Sequence, residues 1–448
     1  MRAMHLVAAA ALLAIPARAD DTAKQDPKIK FERYTLDNGL EVILAPDPSV
    51  PLVAVNLWYH VGSGYEVPGK SGFAHLFEHM LFQGSKNVGE DKHFEILKKI
   101  GGDQINGTTN TDRTNYFELV PSNQLETALW LESDRMSHLL EMLNQQSLTN
   151  QIDVVRNERR QSYENQPYGK ARIALYEALY PEGHPYKHTT IGLADDLQAA
   201  TVDDVKSFFK TWYVPANATI TLSGDFDPAD AKAKIEKWFG SFPKSEKPKV
   251  VAISAPPIAS KKIEMTDDFA KLRQITWAWH SPARFAADDA ELDVAAEALA
   301  REGTGRLYRV LVHDKQLAQV VRASQGGMGF SGIFTITVQL RTGADAQEVE
   351  RIVTDEVAKL RGENLSDREV ARVVTEGESA AIYQLESLMQ RAQVLQTYNH
   401  YLGNPDSITW DLDRYRHTTP DKIRAAVNKW LTPDHVIEMV VSPKGGAS

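Results

Sequence analysis

Cysteine is absent from all 448 residues. Its absence excludes disulfide frameworks, thiolate metal sites, cysteine nucleophiles and a lipid anchor on cysteine, and leaves any bound metal to histidine and carboxylate ligands. Basic charge is also scarce: 50 Lys and Arg stand against 60 Asp and Glu, a formal net charge of -10. That is the wrong sign for the basic face of a nucleic-acid binder, and no nucleic-acid partner is expected. Long hydrophobic runs are missing too. The most apolar one, residues 6–15, falls short of the ~20 apolar residues a membrane span requires, so no membrane span is expected. What remains, 42% hydrophobic and 25% charged residues with 27 Gly and 21 Pro, is the composition of a folded globular chain. At roughly 100–200 residues per domain, the length predicts two to four domains.

The N-terminal apolar run follows Arg2 and ends in Ala17-Arg18-Ala19, which has small residues at both positions of an A-x-A cleavage site. Residues 1–19 therefore read as a signal peptide cut near Ala19, and the mature chain as periplasmic or secreted.

An internal repeat organises the rest. Thr201-Val202-Asp203-Asp204-Val205-Lys206 and Trp212-Tyr213-Val214-Pro215 recur 218 residues later as Thr419-Pro420-Asp421-Lys422-Ile423-Arg424 and Trp430-Leu431-Thr432-Pro433. Earlier in each half, residues 55–60 align with residues 275–280 at an offset of 220. Two segment pairs in the same order at nearly equal offset indicate a duplicated domain. Strand-like stretches at residues 40–44 and 52–59, the first preceded by an Asp37-Asn38-Gly39 turn, mix with helical stretches at residues 72–82, 125–143, 149–163 and 202–212. Thr201 with Asp204 resembles a capped helix start. The expected fold is α+β: two homologous α/β-sandwich-type domains, each a mixed or antiparallel sheet with helices packed on it. The expected boundaries are residues 20–245 for the first domain, 246–261 for a Pro- and Lys-containing linker, and 262–448 for the second.

The chemistry concentrates at His75-Leu76-Phe77-Glu78-His79. On a helix, positions i and i+4 share a face, so His75 and His79 can offer two imidazoles to one zinc ion while Glu78 stands beside them as a proton acceptor for water. This is the inverted form of the usual zinc-peptidase motif. Phe73, Leu76, Phe77, Met80 and Leu81 can bury the remainder of the helix. A third ligand is needed if one position is to stay open, and Glu158 and Glu164 are both candidates that spacing alone does not separate. Adding 220 to the motif positions gives Ala295, Ala298 and Leu299, so the second half carries no copy of it.

These residues, with Leu36-Asp37-Asn38-Gly39-Leu40, Val61-Gly62-Ser63-Gly64-Tyr65-Glu66, the run 72–84, Gly101-Gly102, Asn106, Asp112-Arg113-Thr114-Asn115-Tyr116 and Tyr213-Val214-Pro215-Ala216-Asn217, resemble the pitrilysin and mitochondrial-processing-peptidase family of zinc peptidases. The resemblance implies that Glu158, in the step Val155-Arg156-Asn157-Glu158, is the third ligand beside His75 and His79 of one Zn2+ per chain, and that Glu78 activates the water. It implies a metalloendopeptidase acting on extended or unfolded peptides, which add as a β-strand to a sheet edge supplied by residues 106–120; Asn106, Thr109 and Tyr116 are the expected substrate contacts. A non-catalytic assembly or peptide-binding subunit is the alternative within the same family. Two departures stand out. Gln151 occupies the place of a second Glu seven residues before the ligand, and Val312 and Gln319 occupy the places of an Arg and a Tyr that hold substrate. Two domains are half of the family's four-domain clamshell, so the resemblance implies a heterodimer whose other subunit supplies that Arg and Tyr, with a homodimer as the lesser option.

Overall fold

The computed structural model describes residues 26–250 and 253–445. The expected signal peptide and its cleavage site lie outside the described residues. Eleven strands are present among the described residues: β1 Glu32–Thr35, β2 Glu41–Pro46, β3 Leu52–Tyr59, β4 Asp103–Thr109, β5 Thr114–Pro121, β6 Ala218–Gly224, β7 Lys261–Asp267, β8 Gln274–Ser281, β9 Ala318–Gly327, β10 Gly332–Leu340 and β11 Ile437–Pro443. They form two sheets, ordered β1-β2-β6-β3-β5-β4 and β7-β11-β8-β10-β9. Apart from the extra β1, the orders coincide. In each sheet one pair is parallel, β2 with β6 and β7 with β11, and the other neighbours run antiparallel. The duplication seen in the repeats is thus a duplication of topology, and the fold is the expected mixed α and β arrangement. No helix or strand lies between Phe239 and Lys261 among the described residues.

Seven helices frame the candidate site and join the two halves: α1 Phe73–Met80, α2 Leu125–Met142, α3 Gln145–Arg159, α4 Gly169–Leu179, α5 Val202–Trp212, α6 Leu388–Leu402 and α7 Pro420–Trp430. The repeated Thr-x-x segments open α5 and α7. The Thr201 hydroxyl accepts from the Asp204 N–H, and the Asp204 carboxylate accepts from the Thr201 N–H, a reciprocal cap. Helix α3 starts four residues earlier than its apolar period suggests, because Asn144 and Ser147 form a reciprocal cap of their own. It also does not run on as an α-helix to residue 163; beyond Arg159 it widens into a π-turn, Arg160–Glu164.

The central strand β3 is almost wholly buried, and its two faces meet different partners. Val53, Val55, Leu57 and Tyr59 join the core formed with the helices of the first half. Ala54 packs instead with Leu388 and Met389 of α6, which belongs to the second half of the chain. The Gln396 amide of α6 donates to the backbone oxygens of Asn56 at 3.1 Å and Thr219 at 2.7 Å. The second sheet mirrors this. Ile275, Trp277 and Trp279 of β8 face their own helices, while Ala278 packs with Ala171, Leu175 and Leu179 of α4 from the first half. Because side chains alternate along a strand, a sheet covered on both faces needs apolar residues at successive positions, as β3 and β8 have. Helices α4 and α6 start 219 residues apart (388 less 169), close to the repeat offset. They are equivalent helices exchanged between the halves.

Candidate metal centre

Helix α1 is amphipathic in a strict sense: Phe73, Ala74, Leu76, Phe77 and Met80 are buried, and His75, Glu78 and His79 occupy the other face. Gly72 precedes it in a left-handed conformation with φ 86°. A Cβ there would come within 2.9 Å of the Ile191 oxygen, so the close approach itself requires glycine. Glycine has no side chain with which to cap the helix. Glu66 does so from a distance, its carboxylate accepting from the Gly72 N–H at 2.8 Å and the Ala74 N–H at 2.7 Å. Burial pushes Glu66 up to about 8, against the lowering effect of those backbone donors. The structure gives Glu66 a role that was not expected. The sequence signal for it was a helix start with no Ser, Thr, Asp or Asn at its cap.

Helix α3 brings the third group. The Glu158 Oε2 lies 3.2 Å from His79 Nε2 and 3.6 Å from His75 Nε2. Ligand atoms of His75, His79 and Glu158 all fall within 4.8 Å of one another, a separation that one ion can bridge. Burial, with the neighbouring His79, pushes His75 down to about 4, which leaves it as the neutral imidazole a metal requires. The hydrogen bond from His79 holds Glu158 below the usual carboxylate range. Glu164, the other candidate, turns away and pairs with Arg159 at 3.0 Å. Two imidazoles and one carboxylate, converging on one point, fit a zinc ion with an open position. His75 Nδ1 is buried and without a hydrogen-bond partner, so packing alone orients that ring.

Glu78 points the same way from α1. Burial raises its carboxyl, and a hydrogen bond donated by the Thr109 hydroxyl at 2.6 Å opposes the shift. Strand β4, the edge of the first sheet, carries Thr109, Gly107 and Asn106 past this face. Gly107 is needed there: a Cβ would stand 2.9 Å from the Phe82 ring and 3.0 Å from Glu78 Cγ. Asn106 is exposed on the free edge. Thr109 thus contacts Glu78 itself. Tyr116 is a correction to the expected substrate contacts. It is wholly buried in the core of the first half, and its hydroxyl donates to the Phe77 oxygen, because its position on β5 faces inward. Gln151 is buried on α3, two turns before Glu158.

A second set of ligand-type side chains, His93, Glu118 and Glu132, is fully buried nearby. Arg135 already occupies it, its guanidinium donating to both Glu132 oxygens. Burial, with the Glu132 carboxylate beside it, raises Glu118 well above its usual value next to this internal ion pair.

The family model described as "Insulinase (Peptidase family M16)" matches residues 41–190, and that described as "Peptidase M16 inactive domain" matches residues 199–376. The zinc protease PqqE of Helicobacter pylori is 27% identical over 376 residues, spanning 82% of this chain and 83% of that one. A crystal structure of a protease from Helicobacter pylori superposes with a TM-score of 0.86 at 24% identity, covering 93% of this chain and 100% of the other. The periplasmic protease PqqL of Escherichia coli superposes at 0.77 with 18% identity, covering 93% of this chain but 48% of that one.

Proposed function

As the chain belongs to peptidase family M16, we propose that it is an exported zinc metalloendopeptidase that hydrolyses peptide bonds in extended or unfolded peptides. The observation that carries this reading is the convergence of Glu78 with the His75, His79 and Glu158 cluster at the free edge of the first sheet. His75, His79 and Glu158 would hold the ion. Bound there, zinc would supply Lewis-acid polarisation of the scissile carbonyl and a lowered pKa for water. Glu78 would accept a proton from the attacking water and return it to the leaving nitrogen, a double duty suited to a carboxyl whose pKa burial raises. Thr109 orients the carboxylate. Strand β4, with Asn106 exposed, offers its main chain to an added peptide strand, a mode that selects for unfolded substrates.

The second half carries Ala295, Ala298 and Leu299 where the first has its motif, and the matching family model is described as inactive, so it acts as a wall. Val312 and Gln319 stand where an Arg and a Tyr would hold substrate, and the chain spans about half of PqqL. Both facts support a dimeric clamshell in which another family subunit supplies those groups. Periplasmic location is supported by the Ala17-Arg18-Ala19 sequence and by PqqL, described as periplasmic.

The test is hydrolysis of a pool of unstructured peptides by the zinc-loaded protein and by Glu78→Gln. New termini from the parent and none from the variant, with equal zinc by mass spectrometry, are expected. Equal cleavage by both would overturn the assignment of Glu78.

A further inference from the structure

A cleft of about 1010 Å³ lies between the β4–β5 turn and α4 on one side and, on the other, the part of the second sheet that α4 leaves uncovered. The chain links it to the candidate metal centre at two places. Asn110 and Asp112 follow Thr109 directly, and Ser162 and Gln166 lie just beyond Glu158. A strand added to β4 therefore has this cleft as its continuation.

The charges in the cleft are uneven. Three guanidinium groups line it, Arg172 from α4, Arg284 from the segment after β8, and Arg322 from β9, and all three residues are exposed. None has a carboxylate partner among the described residues. Arg172 lies over the Tyr163 ring at 4.1 Å, and Arg284 over the Tyr401 ring at 5.4 Å with its Nε donating to the Gly327 oxygen. The one acidic residue in the lining, Asp112, is buried and saturated. It accepts from the Tyr186 hydroxyl at 3.1 Å, the Gly329 N–H at 3.0 Å and the Tyr401 hydroxyl at 2.7 Å. The floor is uncharged and mixes apolar side chains such as Ile333, Met439 and Val441 with hydroxyls, Thr276 and Thr337 sharing a hydrogen bond at 3.2 Å and Ser324 and Thr335 another at 3.0 Å.

Three exposed arginines without a carboxylate share this one cleft in a chain whose net charge is -10, in contrast to those held in ion pairs, as Arg306 with Glu369 and Arg414 with Asp289 are. Arg172 and Arg284, held over aromatic rings, and Arg322 beside them leave N–H donors over and form a receptor for carboxylates.

We infer that this cleft is a substrate subsite for carboxylate groups, so that the protein selects peptides carrying an acidic group beside the scissile bond. The inference rests on the peptidase reading for the cleavage itself and on the cleft for the selection. The carboxylate has two sources, an Asp or Glu side chain or the C-terminus of the peptide, and both present the same group to arginine.

The experiment uses the zinc-loaded full chain and a quenched-fluorescent peptide with one fixed core. Glu is moved through successive positions on either side of it with the C-terminus amidated; a Gln series matches each peptide, a Lys series reverses the charge, and one Gln peptide keeps a free C-terminal carboxylate. At the preferred position Glu is expected to exceed Gln in kcat/KM by about tenfold, the scale of one charge-assisted hydrogen bond, with Lys below both. The advantage should shrink with salt. In an Arg172→Gln, Arg322→Gln double variant the Glu-to-Gln ratio should fall toward one. Selection of the free C-terminus alone would identify that carboxylate as the group bound. Equal rates for Glu, Gln and Lys, or an unchanged ratio in the double variant with a native melting profile, would overturn the subsite. Anisotropy of the same labelled peptides on Glu78→Gln separates the two readings: acid-selective binding without cleavage by the parent would retain the subsite and sink the peptidase reading.

Discussion

Replacing His60 by glutamine should make the protein less sensitive to acid. His60 is 9% exposed at the end of β3, with Nδ1 2.7 Å from His400 Nδ1 of α6 and Nε2 2.9 Å from the Thr219 hydroxyl. Burial, with a smaller contribution from Lys247, pushes its pKa down from 6.5 to about 3. The folded protein therefore keeps this imidazole neutral at pH 5, where the unfolded chain protonates it. A group depressed in this way contributes stability that is present above pH 6.5 and is lost as pH falls toward 3. At pH 5 the loss is about 2 kcal/mol, from RT ln(1 + 10^1.5) with the ordinary histidine value as the unfolded reference. Other buried histidines add to the acid sensitivity, so the informative quantity is a difference of differences. Urea unfolding would be followed by tryptophan fluorescence at pH 7.5 and 5.0 for parent and His60→Gln. Trp58, whose ring lies 5.7 Å from that of His400, reports on this junction. The drop in stability should be about 2 kcal/mol smaller in the variant. An equal drop in both proteins would refute the reasoning.

Thr109→Val removes the hydroxyl that donates to Glu78, so the carboxyl should rise further and the acid limb of kcat/KM should move up by about one pH unit, with zinc content unchanged. Gly107→Ala drives a Cβ against Phe82 and Glu78, and kcat should fall about tenfold or more while the melting temperature changes little. Gln396→Leu removes the amide that bonds two backbone oxygens of the first sheet; about 1–3 kcal/mol of stability should be lost, with faster hydrogen exchange in α6 and β3 as the local readout.

Legibility in the sequence followed the range of the interactions. The His75, Glu78 and His79 face of α1, strand β3 and the Thr201 cap depend on residues within four positions of one another, and pattern alone marked them. The choice between Glu158 and Glu164 was opaque to spacing because the helix changes pitch between them, in the π-turn Arg160–Glu164. Tyr116 was readable after all. It alternates with Thr114, Glu118 and Val120 on the inward face of β5, and attention to that period would have placed it in the core. Helix α6 was beyond reach. Gln393, Gln396, Asn399 and His400 look like a solvated face, and only a sheet more than 150 residues away in sequence turns them into an interface.

The exchange of α4 and α6 bears on how such a molecule could have arisen and how it could be cut. A single half, expressed alone, would leave one face of its sheet bare and its own helix without a bed, so it would assemble in pairs that trade helices. Fusion of two such copies changes the connectivity of that pair and little else. Severing the chain between Phe239 and Lys261 should accordingly leave both fragments clasped in one particle.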